Sequence, residues 1–172
     1  HARHLLLGAG ALGGLFIAVK LAEYRAVAAQ GHGLDGEAFF TELVQQLQVP
    51  LTIDFFQTTS YGAGTTAGEV RIKRDIDSSV RGKDVLLVED IVDTGWTLRT
   101  ILDLFRFRGA RSVKLCALLD KHEARETAVA IDYCGFRIGR EFVVGYGLDY
   151  GERYRNLPYI GVVEFLEEAH QE

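Results

Sequence analysis

The residues best suited to chemistry lie in one stretch, VLLVEDIVDTGWTL, from Val85 to Leu98. An apolar run ends in two adjacent carboxylates, Glu89 and Asp90. After two more apolar residues, a turn carries Asp93, Thr94, Gly95, Trp96 and Thr97 into a second apolar pattern. A helix start has unpaired backbone N–H groups and the positive end of the dipole, which suits an anion and a phosphate best. Gly95 lets the backbone come close, and Thr94 and Thr97 add hydroxyl donors. Two acids beside a phosphate would repel it unless sugar hydroxyls, or a Mg²⁺ held partly through water, lie against them. The stretch therefore asks for a phosphorylated sugar with free hydroxyls. The competing reading makes Asp93 a helix cap and Glu89 and Asp90 solvated turn residues. Three acids within five residues exceed what a cap requires.

The elements around this stretch follow from apolar spacing. Lys83 to Glu89 (KDVLLVE) reads as a buried strand. Gly95 to Arg108 reads as a helix with Leu98, Ile101, Leu102 and Phe105 on one face, stopped by Gly109. Ser112 to Leu119 and Val129 to Phe136 read as further strands. Strand–helix–strand at this spacing is a parallel unit with a right-handed crossover. In such open sheets ligands bind at the carboxyl ends of the strands, where the acids and the turn must sit. Upstream, Ala38 to Leu47 reads as a helix with Phe39, Leu43 and Leu47 on one face, and Pro50 closes it. Leu51 to Thr58 and Glu69 to Arg74 read as strands flanking Thr59 to Gly68 (TSYGAGTTAG), a flap of small and polar residues. Phe142 to Gly145 is short and apolar.

The chain has 172 residues, which suits a single domain over 1–172, with residues 1–36 an atypical, Gly- and Ala-rich segment. Lys+Arg is 19 and Asp+Glu 24, a net charge of −5, which disfavours nucleic acid and anionic membrane as partners. The apolar run Leu5 to Val19 is shorter than the roughly 20 residues that span a bilayer, and no signal peptide is expected. Two cysteines, Cys116 and Cys134, cannot make a disulfide framework, so a cytoplasmic location is expected. The five histidines have no metal-ligand spacing.

The central stretch resembles the phosphoribosyl pyrophosphate (PRPP) motif of type I phosphoribosyltransferases: four apolar residues, two acids, two apolar residues, then Asp-Thr-Gly-x-Thr. SSVRGKDVLLVEDI, the flap SYG at Ser60–Gly62, LLDKHEAR, DYCGFRI and EFVVGYGLDYGERYRNLPYIG resemble the hypoxanthine-guanine branch of that family. The similarity runs from about Leu47 to Val163. It implies an α/β fold with a central, mainly parallel sheet flanked by helices, a flexible flap and a small hood formed by the chain ends. It also implies purine salvage: transfer of 5-phosphoribosyl from PRPP to hypoxanthine or guanine, giving IMP or GMP and pyrophosphate. Mg²⁺ would be the cofactor, and a homodimer or homotetramer the assembly.

By the same resemblance, Glu89 and Asp90 bind the ribose hydroxyls and Asp93 to Thr97 the 5′-phosphate. Asp93 also matches the acid near purine N7 proposed as general base. Lys121 matches the lysine that reads the 6-oxo group, and a donor-only ammonium favours that oxygen over the amino group of adenine. Phe142 matches the aromatic that stacks on the purine, and Val143 the backbone at the base edge. Asp149 matches an acid near the base edge that also holds Mg²⁺ on the pyrophosphate side, so the metal set implied is Glu89, Asp90 and Asp149. Arg155 matches the arginine that contacts pyrophosphate. Ser60 and Tyr61 match flap residues that exclude water from the reacting sugar.

The family's pyrophosphate loop, a strand followed by Leu-Lys-Gly or similar, has two competitors here. Leu34-Asp35-Gly36 fits by spacing to the next strand, although AVAAQGHG before it makes a poor strand. HLLLGAGALGGLFIAVKLA looks like strand, turn and helix but lies upstream. Both cannot fill one slot, and Leu34–Gly36 is preferred. Gly8 to Gly13 also satisfies G-x-G-x-x-G, the dinucleotide fingerprint, yet no acid stands near position 30, where one is needed. Ala/Gly-rich sequence makes that pattern by chance. The alternative function on the same fold is a PRPP- or nucleotide-sensing regulatory protein.

Overall fold

The computed structural model describes residues 15–21, 37–61 and 69–164. Their elements run β1 (Leu15–Leu21), α1 (Glu37–Gln46), β2 (Leu51–Tyr61), β3 (Glu69–Arg74), β4 (Asp84–Val92), α2 (Trp96–Phe107), β5 (Ser112–Lys121), β6 (Tyr133–Ile138), β7 (Val143–Val144) and β8 (Gly161–Val162). A six-stranded sheet has the order β3-β2-β1-β4-β5-β6. All its pairs are parallel except β2–β3. The chain thus moves outward one way from β1 to β2 and the other way from β4 to β5. The order reverses between β1 and β4, and the carboxyl ends at such a switch point form a ligand crevice.

The apolar runs of β4 and β5 are explained by cover on both faces. Val85, Leu87, Leu115 and Ala117 pack with Leu98, Ile101, Leu102 and Phe105 of α2. The alternate residues Leu86, Val88 and Cys116 pack with Phe40 and its neighbours on α1. The end of α2 is fixed as expected: Gly109, at φ 82°, donates to the Arg106 carbonyl and Ala110 to that of Phe105. On the α2 face Asp54 is buried, and its carboxylate accepts N–H groups of Phe55, Asp77 and Ser78. It thereby pins the β3–β4 connection to β2.

Three expectations are corrected. LFIAVKL is a strand, not the helix of a strand–turn–helix. Its backbone pairs with β2 on one side and β4 on the other, and Phe, Ile and Val suit such a central position. The upstream segment thus supplies a strand, and the helix begins at Glu37. Second, β2 continues through Tyr61, so Thr59, Ser60 and Tyr61 are ladder residues opposite Arg71, Val70 and Glu69, not loop. Third, the strand expected from Val129 starts at Tyr133, because Asp132 bonds Leu115 through both its amide and its carboxylate and turns the chain before the ladder begins. Among the described residues, β7 and β8 form a small antiparallel second sheet. Val143 and Leu148 rest on Leu119, Ile91 and Ile138 at the carboxyl end of the large sheet.

Residues 62–68 of the expected flap, Leu34–Gly36 and Gly8–Gly13 lie outside the described residues. No helix among those described is long and apolar enough to cross a membrane. Cys116 and Cys134 are free thiols, and burial pushes the Cys116 thiol up to about 11.

Candidate active site

The acids and the turn occupy the end of β4 and the start of α2. Glu89 is buried, at 3% exposure, and Asp90 half-buried. Neither is a solvated turn residue. Nor does Asp93 cap α2: the cap position is Gly95, in the left-handed region at φ 90° and ψ −8°, and no side chain among the described residues caps it. The start of the helix therefore keeps its backbone N–H groups uncapped by a side chain, as an anion site needs. Trp96 is 42% exposed, with its indole N–H donating to Glu126.

Lys121 ends β5, the strand beside β4, and its ammonium nitrogen comes within 3.8 Å of an Asp93 carboxylate oxygen. The same nitrogen lies 5.7 Å from the centre of the Phe142 ring, in a cation–π arrangement. The Phe142 ring meets Tyr150 edge-on at 5.3 Å. Tyr150 is a site neighbour that the spacing alone did not single out. Val143 turns its side chain into the core, which leaves only its backbone for a ligand.

Asp149 and Arg155 are brought together by the turn between β7 and β8. Arg155 reaches an Asp149 oxygen at 2.9 Å and donates to the Gly147 carbonyl at 2.9 Å. The other Asp149 oxygen accepts the Glu152 N–H. This turn holds left-handed backbone at Tyr146, Glu152 and Tyr154 as well as at glycines. Non-glycine residues rarely adopt that region, and clusters of them mark functional turns. At Gly145 a Cβ would lie 2.1 Å from the Tyr159 carbonyl oxygen, so only glycine fits. Burial, and a hydrogen bond with Glu42 of α1, push the Tyr146 phenol up to about 12.

The structure thus joins Asp93, Lys121 and Phe142 in one cluster and Asp149 with Arg155 in another. The β4 carboxylates Glu89 and Asp90 and the turn Asp93–Thr97 sit beside the first. Ser60 and Tyr61 are described only through their β2 backbone. Among the described residues, no three His, Cys, Asp or Glu side chains converge as a metal-binding group. Glu89, Asp90 and Asp149 therefore do not form a single three-carboxylate cage.

A family model described as the phosphoribosyl transferase domain matches residues 35–151. The chain belongs to the phosphoribosyltransferase family. It is 49% identical over 127 residues to the hypoxanthine-guanine phosphoribosyltransferase of Bacillus subtilis, covering 73% of this chain and 71% of that protein. It is 53% identical over 127 residues to the bifunctional protein TilS/HprT of Listeria innocua. That match covers 73% of this chain, which spans only 20% of the longer relative. The crystal structure of a hypoxanthine phosphoribosyltransferase from Staphylococcus aureus superposes with a TM-score of 0.77 at 40% identity, over 88% of this chain and 77% of that one. The central sheet and its helices are thus those of a type I phosphoribosyltransferase.

Proposed function

We propose that this phosphoribosyltransferase transfers the 5-phosphoribosyl group from PRPP to hypoxanthine or guanine, releasing IMP or GMP and pyrophosphate, as a single domain in the cytoplasm. The observation that carries this reading is the cluster of Asp93, Lys121 and Phe142 beside the uncapped start of α2. A phosphate seated on residues 93–97 would put the sugar over the β4 acids and a base against Phe142.

The roles follow from chemistry. The N–H groups of the turn and the hydroxyls of Thr94 and Thr97 hold the 5′-phosphate. Glu89 and Asp90 accept hydrogen bonds from the ribose hydroxyls. The purine stacks on Phe142, Lys121 donates to its 6-oxygen, and the backbone at Val143 meets its edge. As the purine nitrogen bonds to the anomeric carbon and the bond to pyrophosphate breaks, Asp93 accepts the proton the purine gives up. Arg155 and the Leu34–Gly36 segment bind the departing pyrophosphate. Ser60 and Tyr61, on the flap, exclude water that would otherwise hydrolyse PRPP.

The acids suit Mg²⁺. They are hard oxygen donors without a closed protein cage, and Mg²⁺ prefers one or two carboxylates together with substrate oxygens and water. Glu89, Asp90 and Asp149 are the residues that would hold it. When bound, it neutralises charge on the pyrophosphate. A homodimer or homotetramer is the assembly we expect.

The test is a panel of bases. The protein is incubated with PRPP, Mg²⁺ and hypoxanthine, guanine, xanthine or adenine in turn, and nucleotide and pyrophosphate are measured. Product from 6-oxopurines but not from adenine is expected. Absence of product from every 6-oxopurine rejects the reading.

A further inference from the structure

Gly95 needs an outside support. It is left-handed, and among the described residues no side chain caps α2, so no local side chain fixes the turn that would hold the phosphate. The support comes from a segment 30 or so residues downstream, just past β5. The Thr94 carbonyl accepts two N–H groups, from Glu126 at 3.1 Å and Thr127 at 3.2 Å. The Gly95 Cα faces Arg125 and Val129, and a Cβ there would come within 3.1 Å of Val129 and 3.2 Å of Arg125. The Trp96 indole N–H donates to the Glu126 carboxylate at 3.0 Å. Hydrogen bonds to the same short strap therefore hold Thr94 and Trp96, and the strap leaves little room for a side chain at Gly95 between them.

The strap is itself anchored. The Arg125 guanidinium pairs with Asp120, and both side chains are largely buried, at 14% and 7% exposure. Asp120 lies in register with Val92 of β4, one residue before the turn begins. The second guanidinium nitrogen, Nη1, is buried, has no hydrogen-bond partner among the described residues, and points to the Gly95 corner. An orphan buried donor is costly, and such costs are tolerated where geometry serves a function.

We propose that Arg125 and Glu126 are positioning residues: their strap holds Thr94–Trp96 in the arrangement that receives the 5′-phosphate. The inference rests on the phosphate assignment made above and deepens it. Donors placed in advance bind an anion more tightly, because the ligand need not order them. The strap should matter for phosphate and not for the base.

The test uses the whole chain and the variants Arg125→Ala, Arg125→Lys and Glu126→Ala. Exposed Glu126 can be truncated without unfolding the protein, which keeps the test open if Arg125→Ala does not fold. Calorimetry compares IMP with inosine, which lacks only the phosphate. Arg125→Ala should weaken IMP about tenfold and Glu126→Ala about threefold, with inosine unchanged, and Arg125→Lys should recover part of the loss. Backbone hydrogen exchange at Thr94–Trp96, measured without ligand, should speed up in both alanine variants. Emission of Trp96, the only tryptophan in the sequence, should shift to the red in Glu126→Ala. Equal loss for IMP and inosine, or unaltered exchange in both alanine variants, overturns the proposal. Failure of the unmutated protein to bind IMP would count against the functional reading instead, while the exchange measurement still decides the strap.

Discussion

Lys121 Nζ stands 3.8 Å from Asp93 Oδ2, across adjacent strand ends of the sheet. The group proposed to read the base oxygen is thus already paired with the group proposed to take the base proton. The ammonium, mostly buried at 12% exposure, also lies over the Phe142 ring. A base entering between them would exchange this pairing for its own oxygen and proton.

Replacing Asp93 with asparagine keeps the shape and removes the proton acceptor. Turnover should fall about 100- to 1,000-fold while the KM for PRPP changes less than about threefold. Steady-state kinetics with PRPP varied separates the two. A large rise in that KM with turnover unaltered would move Asp93 from proton transfer to phosphate binding.

Lys121→Gln exchanges a donor-only group for one that also accepts. The efficiency with hypoxanthine should drop about 10- to 100-fold, the worth of one charge-assisted hydrogen bond. Preference for hypoxanthine over adenine should narrow at the same time. The ratio of kcat/KM for the two bases reports this, and an unmoved ratio would take Lys121 out of base recognition.

Gly95→Ala meets two obstacles, its φ of 90° and the contacts with Val129 and Arg125. The left-handed conformation alone costs an alanine about 1–2 kcal/mol. We expect a lowered Tm together with loss of IMP affinity. An alanine variant with undiminished Tm and affinity would show that the turn tolerates a side chain.

Asp84, at the far end of β4, is held by Arg111 and by Ser112, whose hydroxyl donates to it at 2.7 Å. Arg111 first, and Ser112 after it, lower its carboxyl from 3.8 to about 2. A depressed folded value means stability present above the ordinary value and lost as pH falls through the folded one. The difference in Tm between the unmutated protein and Asp84→Asn should therefore be present above pH 4 and close toward pH 2. It should be small, about 2 °C, because the pair is partly exposed. Thermal melts across that range check it, and a gap that widens on acidification would contradict the assignment.

What the sequence determined on its own was local. Val85–Leu98 announces a strand, two acids, a glycine turn and a helix, because apolar periodicity and a left-handed glycine are properties of neighbouring residues. The α2 stop at Gly109 and the β2–β3 pair were legible for the same reason. Lys121, Phe142, Asp149 and Arg155 drew no attention by residue type. They stood out only through family resemblance, since a lysine after a strand or an FVV run is ordinary. Tertiary structure decided the rest. LFIAVKL becomes the central strand only because β2 and β4 offer hydrogen-bond partners on both sides, and short apolar runs do not distinguish strand from helix by period. The Lys121–Asp93 approach depends on β4 and β5 lying side by side, and the strap on Thr94–Trp96 depends on a segment 30 or so residues away. Contacts at such separation leave no periodic trace in the chain, because they are set by the order of strands in the sheet rather than by spacing along it.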